Sequence, residues 1–274
     1  MSTPMFRRAL DLARAAATLE LPFRSIEDAY TEVPPTDGPI PNAVYQTWVE
    51  PRVGRSHAAA VRRFRRMNPD HSFVFFDTAA MDEYMASAYA DHPILEVYRK
   101  TVEGPAQTDI WRYCILLDRG GWYFDINKMV EAPLASFLDP TTQAVVALED
   151  NEYFGELSER VLERFGSRWI VSNWGLGFAP GHPILRRTVD GIVAAYPEQR
   201  GVVQADLKEA IVHFTGPHRL TRAVADTIDA GEDEGLRIAG QNFEGKGVYR
   251  IPRSWVRYLQ RSSYKSVRDS VMVR

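Results

Sequence analysis

Residues 104 to 128, GPAQTDIWRYCILLDRGGWYFDINK, leave this chain little freedom in how it folds. Apolar residues recur at helical spacing as far as Arg119, and Gly120-Gly121 then breaks the helix. Glycine reaches left-handed backbone at little cost, so a left-handed cap is expected there. A short aromatic strand follows, Trp122-Tyr123-Phe124, and ends in Asp125-Ile126-Asn127. Asp109 and Arg112 stand one turn apart on the helix. That order presents a carboxylate, a guanidinium and a strand-end Asp-x-Asn to one pocket.

The rest of the chain alternates strand and helix patterns. Strands are expected over 40–48, 71–77, 122–124 and 143–148, with short ones near 236–239 and 247–251. Helices are expected over 55–67, 105–119, 184–196, 202–212 and 218–229, while 169–178 reads as irregular or strand-like. Such alternation implies an α/β fold with a largely parallel central sheet flanked by helices. In such sheets ligands gather beyond the carboxyl ends of strands, where Asp125 and Asn127 lie. Turn formers from Val33 to Pro39 divide the chain into an N-terminal helix and linker (1–38), a main domain (39–255) and a basic tail (256–274).

Several function classes fall away. The net charge of -3 argues against nucleic acid as a partner. No window approaches the roughly 18 apolar residues of a spanning helix. The N-terminal stretch is broken by Asp11 and Arg14, so it reads as an amphipathic helix rather than a signal peptide. Cys114, the single cysteine, excludes an internal disulfide and lies in an apolar run, as a buried structural thiol does. His213 reads as a packed or capping histidine.

Asp125 and Asn127 sit two apart, on one face of a regular strand. Their oxygens suit a hard divalent cation, Mn2+ or Mg2+, which would act as a Lewis acid on a leaving diphosphate. An Asx turn after a strand is the plain structural alternative.

Three stretches taken together carry a resemblance: Ile40-Pro41 to Gln46-Thr47-Trp48, Thr108-Asp109-Ile110-Trp111-Arg112-Tyr113, and Gly120 to Asn127. Asn173-Trp174-Gly175, Pro180-Gly181-His182-Pro183, Thr215-Gly216-Pro217 and Ser254-Trp255 add to it. Over about 40–255 the chain resembles the DXD-motif glycosyltransferases of the Och1-like mannosyltransferase group (glycosyltransferase family 32), and more distantly the clostridial glucosylating toxins. The resemblance implies a GT-A fold, a UDP- or GDP-sugar donor, a divalent metal and transfer with retention to a glycan or lipid-linked acceptor. It also implies roles. Trp48 would stack on the nucleobase, Asp109 would bind sugar hydroxyls, and Arg112 would meet the sugar or the diphosphate. Tyr123 would line the donor pocket, and Asp125 would bind ribose and, with Asn127, metal. Asn173 and Trp174 would border the acceptor side, and Ser254 and Trp255 would close over the diphosphate. A cytoplasmic enzyme, peripheral to the inner face of a membrane, would suit these features.

The chain departs from that pattern at Asn127, where an aspartate is usual. The change removes one negative charge, so metal affinity should be weak. Lys128, Arg250 and Arg253 would supply part of the missing positive charge. Two other readings fit parts of the sequence: a nucleotide-sugar-binding protein without turnover, and a glycoside hydrolase pairing Asp125 with Glu149 or Asp150.

Overall fold

The computed structural model describes residues 22–251 and 269–274. The expected N-terminal helix, Ser254, Trp255 and most of the basic tail lie outside the described residues.

Seven strands form the central sheet: β1 Ala43–Thr47, β2 Ser72–Phe76, β3 Gly121–Phe124, β4 Ala144–Glu152, β5 Trp169–Val171, β6 Gly175–Phe178 and β7 Leu236–Gln241. Their order is β7-β4-β6-β3-β1-β2, with β5 pairing β4 off this path. β1 is parallel to β2 and β3, and β7 is parallel to β4. β6 runs antiparallel to β3 and β4, and β5 runs antiparallel to β4. The sheet is therefore largely parallel, as the sequence implies, with the reversed strands in the segment that reads as irregular.

The inner strands β1, β3 and β6 and the first half of β4 are buried on both faces, and their pleat divides the side chains between two cores. Tyr45, Tyr123, Val146, Leu148 and Leu176 join one core. Val44, Trp122, Phe124, Val145 and Ala147 join the other. The first core takes the helices α2 Thr78–Ala88, α3 Ile94–Lys100, α4 Gly104–Arg119, α5 Glu159–Phe165, α6 Pro183–Gln199, α7 Leu207–Phe214 and α8 Pro217–Asp229. Phe64 of the preceding helix, α1 Arg55–Met67, packs into the second core with Phe137 and Phe243.

α4 is the central helix. Pro105 opens its first turn, where the missing N–H costs nothing. Ile110, Trp111, Tyr113, Cys114, Ile115 and Leu116 are fully buried, which is what an apolar run wrapping a whole helix requires. Burying each large aliphatic side chain contributes about 1.5–3 kcal/mol. Gly120 ends the helix at φ 65°, ψ -163°. That is extended backbone of positive φ, which only glycine adopts readily, and not the left-handed cap expected. A Cβ on Gly120 would meet Pro180 at 2.7 Å, and one on Gly121 would meet the Ala43 carbonyl at 2.7 Å. The pair lets β3 start at once beside β1, so the helix and the strand deliver their polar residues to one end of the sheet.

Three boundaries differ from expectation. The helix expected from 202 starts at Leu207, because Asp206 caps it by accepting from the Glu209 N–H, and Val203–Gln204 is a strand. The segment read as linker pairs Arg24–Ser25 with Arg52–Val53 and buries Ile26 and Ala29. The last residues, read as tail, pair Ser270–Val271 with Val203–Gln204 and bury Met272 and Val273 in the main core.

Candidate active site

At the carboxyl end of β3, three elements meet around Arg112. From α4, its guanidinium contacts Oδ1 of Asp109 at 3.1 Å and Oδ1 of Asp125 at 3.3 Å. It also donates to the carbonyl of Asn173, just before β6, and to that of Thr108. The ring of Tyr123 lies beneath it at 4.4 Å, and the Tyr123 hydroxyl donates to Asp125 Oδ1 at 2.8 Å. Asp109 is held from two further sides, by the amide of Asn173 at 3.0 Å and the hydroxyl of Thr215 at 3.0 Å. Lys128 closes the network, 3.4 Å from Asp125 Oδ2 and 4.2 Å from the centre of the Tyr249 ring.

The local sequence explains the convergence. Asp109 and Arg112 share a helix face at i,i+3. The tight Gly120-Gly121 turn brings β3 back beside that helix. Because β6 is reversed, its amino-terminal approach, Ser172-Asn173-Trp174, reaches the same end as the carboxyl ends of β3 and β4. The Asp125 N–H donates to the Trp174 carbonyl at 2.8 Å, locking the two segments together.

Burial sets the electrostatics. Asp109 and Arg112 are 5% and 4% exposed. Desolvation raises the Asp109 carboxyl to about 7, against the opposing pull of Arg112 and Thr215. Burial also works against ionised Asp125, but Arg112 and Lys128 together outweigh it and hold that carboxyl below its ordinary value. Glu149, on β4, is raised by burial and feels the charges of Lys128 and Asp125. The cluster thus keeps Asp125 ionised and leaves Asp109 poised near neutrality.

The other expected residues fall as follows. Trp48 sits just past the end of β1, partly buried against Ile126 and its neighbours. Tyr123 is buried, with its ring beneath the Arg112 guanidinium. Asn173 joins the network directly, while the Trp174 side chain is fully buried. His213 is an exposed residue in the last turn of α7, with its ring packed on that of His218 at 4.2 Å between centres. Cys114 is buried, as expected. Thr215 and Tyr249 were given no role by the sequence. For Thr215 the signal was present in Thr215-Gly216-Pro217, whose glycine caps α8.

The fit of a divalent metal turns on the donors available. Among the described residues no three His, Cys, Asp or Glu side chains cluster to hold an ion. Asp125 gives Oδ1 to Arg112 and Tyr123 and Oδ2 to Lys128. Asn127 offers only a neutral amide. These residues do not fit a metal cage, because the one carboxylate is already matched by two cations.

Residues 54–145 match the glycosyltransferase sugar-binding region containing the DXD motif. This span includes Asp109, Arg112, Asp125, Asn127 and Lys128. An initiation-specific alpha-1,6-mannosyltransferase of Schizosaccharomyces pombe is 23% identical over 218 residues, covering 74% of this chain and 52% of the relative. An inositol phosphoceramide mannosyltransferase of the same organism is 26% identical over 151 residues, covering 55% of this chain and 36% of the relative. The chain thus spans about half or less of the length of these relatives. In fold it is similar to the PaToxG glycosyltransferase, with a TM-score of 0.50, 16% identity, and 83% and 80% of the two chains covered. The resemblance read from the sequence is borne out, and so is the mixed α/β fold with a central sheet flanked by helices.

Proposed function

We propose that the protein is a glycosyltransferase moving a hexose from a nucleotide-diphosphate sugar to a hydroxyl of a glycan or lipid-linked acceptor, with retention. The observation that carries this reading is the bridging of Asp109 and Asp125 by Arg112 at the strand-end rim, within the matched sugar-binding region. The names of the relatives favour mannose as the hexose.

In the transfer, the bond from C1 of the sugar to the diphosphate oxygen breaks, and a bond from C1 to the acceptor oxygen forms. The acceptor proton leaves with the diphosphate. The protein's part is to position and to stabilise charge. Asp109 accepts sugar hydroxyls, and Arg112 fixes both carboxylates. Lys128, held between Asp125 and Tyr249, supplies positive charge to the departing diphosphate. Trp48, at the rim of β1, stacks on the nucleobase. Ser254 and Trp255 closing over the diphosphate belong to the same proposal. If Mn2+ or Mg2+ takes part, Asp125 and Asn127 would hold it only weakly, and it would supply further positive charge to the diphosphate.

A two-carboxylate hydrolase has one observation in its favour. Asp125 is held ionised while burial raises nearby Glu149, the split in acidity such an enzyme needs. Against it, both oxygens of Asp125 are engaged by Arg112, Tyr123 and Lys128. Incubation with UDP-, GDP-, dTDP- and CMP-sugars separates the readings. Slow release of free sugar from one of them supports the transferase. Binding seen as a thermal shift without turnover supports a non-catalytic binder, and cleavage of oligosaccharide without nucleotide supports the hydrolase. A cytoplasmic location belongs to the same proposal, and peripheral membrane contact would draw on the basic residues Arg257, Arg261, Lys265 and Arg268. Co-sedimentation with anionic vesicles tests it.

A further inference from the structure

The network around Arg112 has two unlike ends. One end is cationic, with Lys128 against Asp125. The other is tied through Thr215 to the turn between α7 and α8, and that turn carries a row of rings. His213 and His218 meet with ring centres 4.2 Å apart. His218 lies 5.2 Å from the ring of Tyr153 and 6.2 Å from that of Phe154. Tyr153 is buried, whereas Phe154 is 78% exposed, more than any other large apolar side chain among the described residues.

The loop bearing Phe154 is built rather than loose. The Tyr153 N–H donates to the Arg168 carbonyl at 2.7 Å, and the Arg168 guanidinium donates to the Gly155 carbonyl at 2.9 Å. A Cβ at Gly155 would stand 2.5 Å from the Tyr153 ring, so glycine is what lets the loop fold against that ring. Phe154 gains almost nothing from the core, yet its ring lies beside the imidazole of His218, which in turn meets that of His213. Scattered single apolar residues are ordinary on a protein surface. A row of rings fixed to the turn that holds Asp109 is different.

We propose that Phe154, His213 and His218 form a platform for a neutral hexose of the acceptor, stacking its C–H face on Phe154 and meeting its hydroxyls with the imidazoles. The proposal rests on the transferase reading and deepens it. Transfer with retention needs the acceptor hydroxyl at C1 on the face the diphosphate leaves, while the body of the acceptor must lie clear of the diphosphate itself. With the diphosphate drawn to Lys128, the acceptor belongs toward the Thr215 end. Burial and the neighbouring His213 depress His218 to about 4, so its ring is neutral near pH 7 and able both to donate and to accept. Such a surface suits a neutral sugar better than a phosphate.

The test titrates the full chain with the methyl glycosides of mannose, glucose and galactose, reading the C2–H resonances of His213 and His218 by NMR. At least one glycoside is expected to shift both resonances saturably, and Phe154→Ala should weaken that binding about tenfold, as loss of one stacking contact does. In turnover the same variant should raise the KM for acceptor by a similar factor, with the change in donor KM much smaller. His218→Gln provides a second variant that keeps a hydrogen-bonding side chain without the ring. Unmoved imidazoles, or equal loss of donor and acceptor binding in Phe154→Ala, would overturn the platform. If nucleotide-sugars are neither bound nor hydrolysed while a glycoside still shifts the imidazoles, the transferase reading fails and the sugar platform stands.

Discussion

The hydroxyl of Thr215 donates to Oδ2 of Asp109 at 3.0 Å across 106 positions of sequence. That bond ties the turn between α7 and α8 to the central helix and leaves Asp109 few orientations. It also favours the ionised carboxylate. Thr215→Val keeps the shape and removes the donor. A hydrogen bond to a charged group is worth about 1.5–3 kcal/mol, so donor turnover in the variant is expected to fall by one to two orders of magnitude. Its acid limb should move to higher pH. A valine variant with an unchanged pH profile would count against this role.

Wild-type turnover should itself rise as pH increases through about 7, as Asp109 ionises. Asp109→Asn should be slow and lack that limb. Stability gives an independent check. The folded-state value lies above the ordinary 3.8, so this group contributes stability at acid pH that is lost as pH rises through about 7. The melting temperature of Asp109→Asn relative to wild type should therefore climb between pH 5 and pH 8. A difference that is flat across that range would exclude the raised carboxyl.

Arg112 serves two carboxylates. Arg112→Ala leaves them facing each other without the shared cation, a loss of about 3–5 kcal/mol when one partner of a buried pair is removed. The denaturant midpoint should fall accordingly, and donor turnover should disappear with it. Arg112→Lys restores charge but not the planar fork that reaches Asp109 and Asp125 together, so it should recover the fold without the rate. Wild-type turnover in the lysine variant would refute the bridging role.

Chelation should separate a metal-built site from a lysine-built one. EDTA is expected to slow wild-type turnover less than about tenfold, because Lys128 already neutralises charge at the diphosphate. Asn127→Asp adds a carboxylate and should tighten Mn2+ binding, read by calorimetry in the presence of nucleotide. Lys128→Ala should make turnover strongly dependent on added Mn2+. Complete loss of wild-type activity in EDTA would sink the lysine argument.

Much of this site was local in sequence and hence legible. Asp109 and Arg112 lie within one turn, and the Gly120-Gly121 turn leads directly to Asp125. Apolar runs located the strands within a few residues, since burial on both faces leaves little room for polar side chains. The direction of β6 was not legible, because a period of two reads alike in either sense. Nor was the burial of Tyr123, since an aromatic next to a site serves equally as a wall or as a support. Tyr249 and the ring row on 153–154 and 213–218 reach the site only through contacts between distant segments. No local pattern encodes those meetings.

The reversed strand β6 has a wider consequence. A sheet with every strand in one direction would offer only departing segments at its functional rim. One strand turned around adds an arriving segment, Ser172-Asn173-Trp174, without adding width to the sheet. Insertions in the loop between β4 and β5 can then reshape what the rim admits while Arg112 and its two carboxylates stay fixed, so selectivity and catalytic power are free to diversify separately.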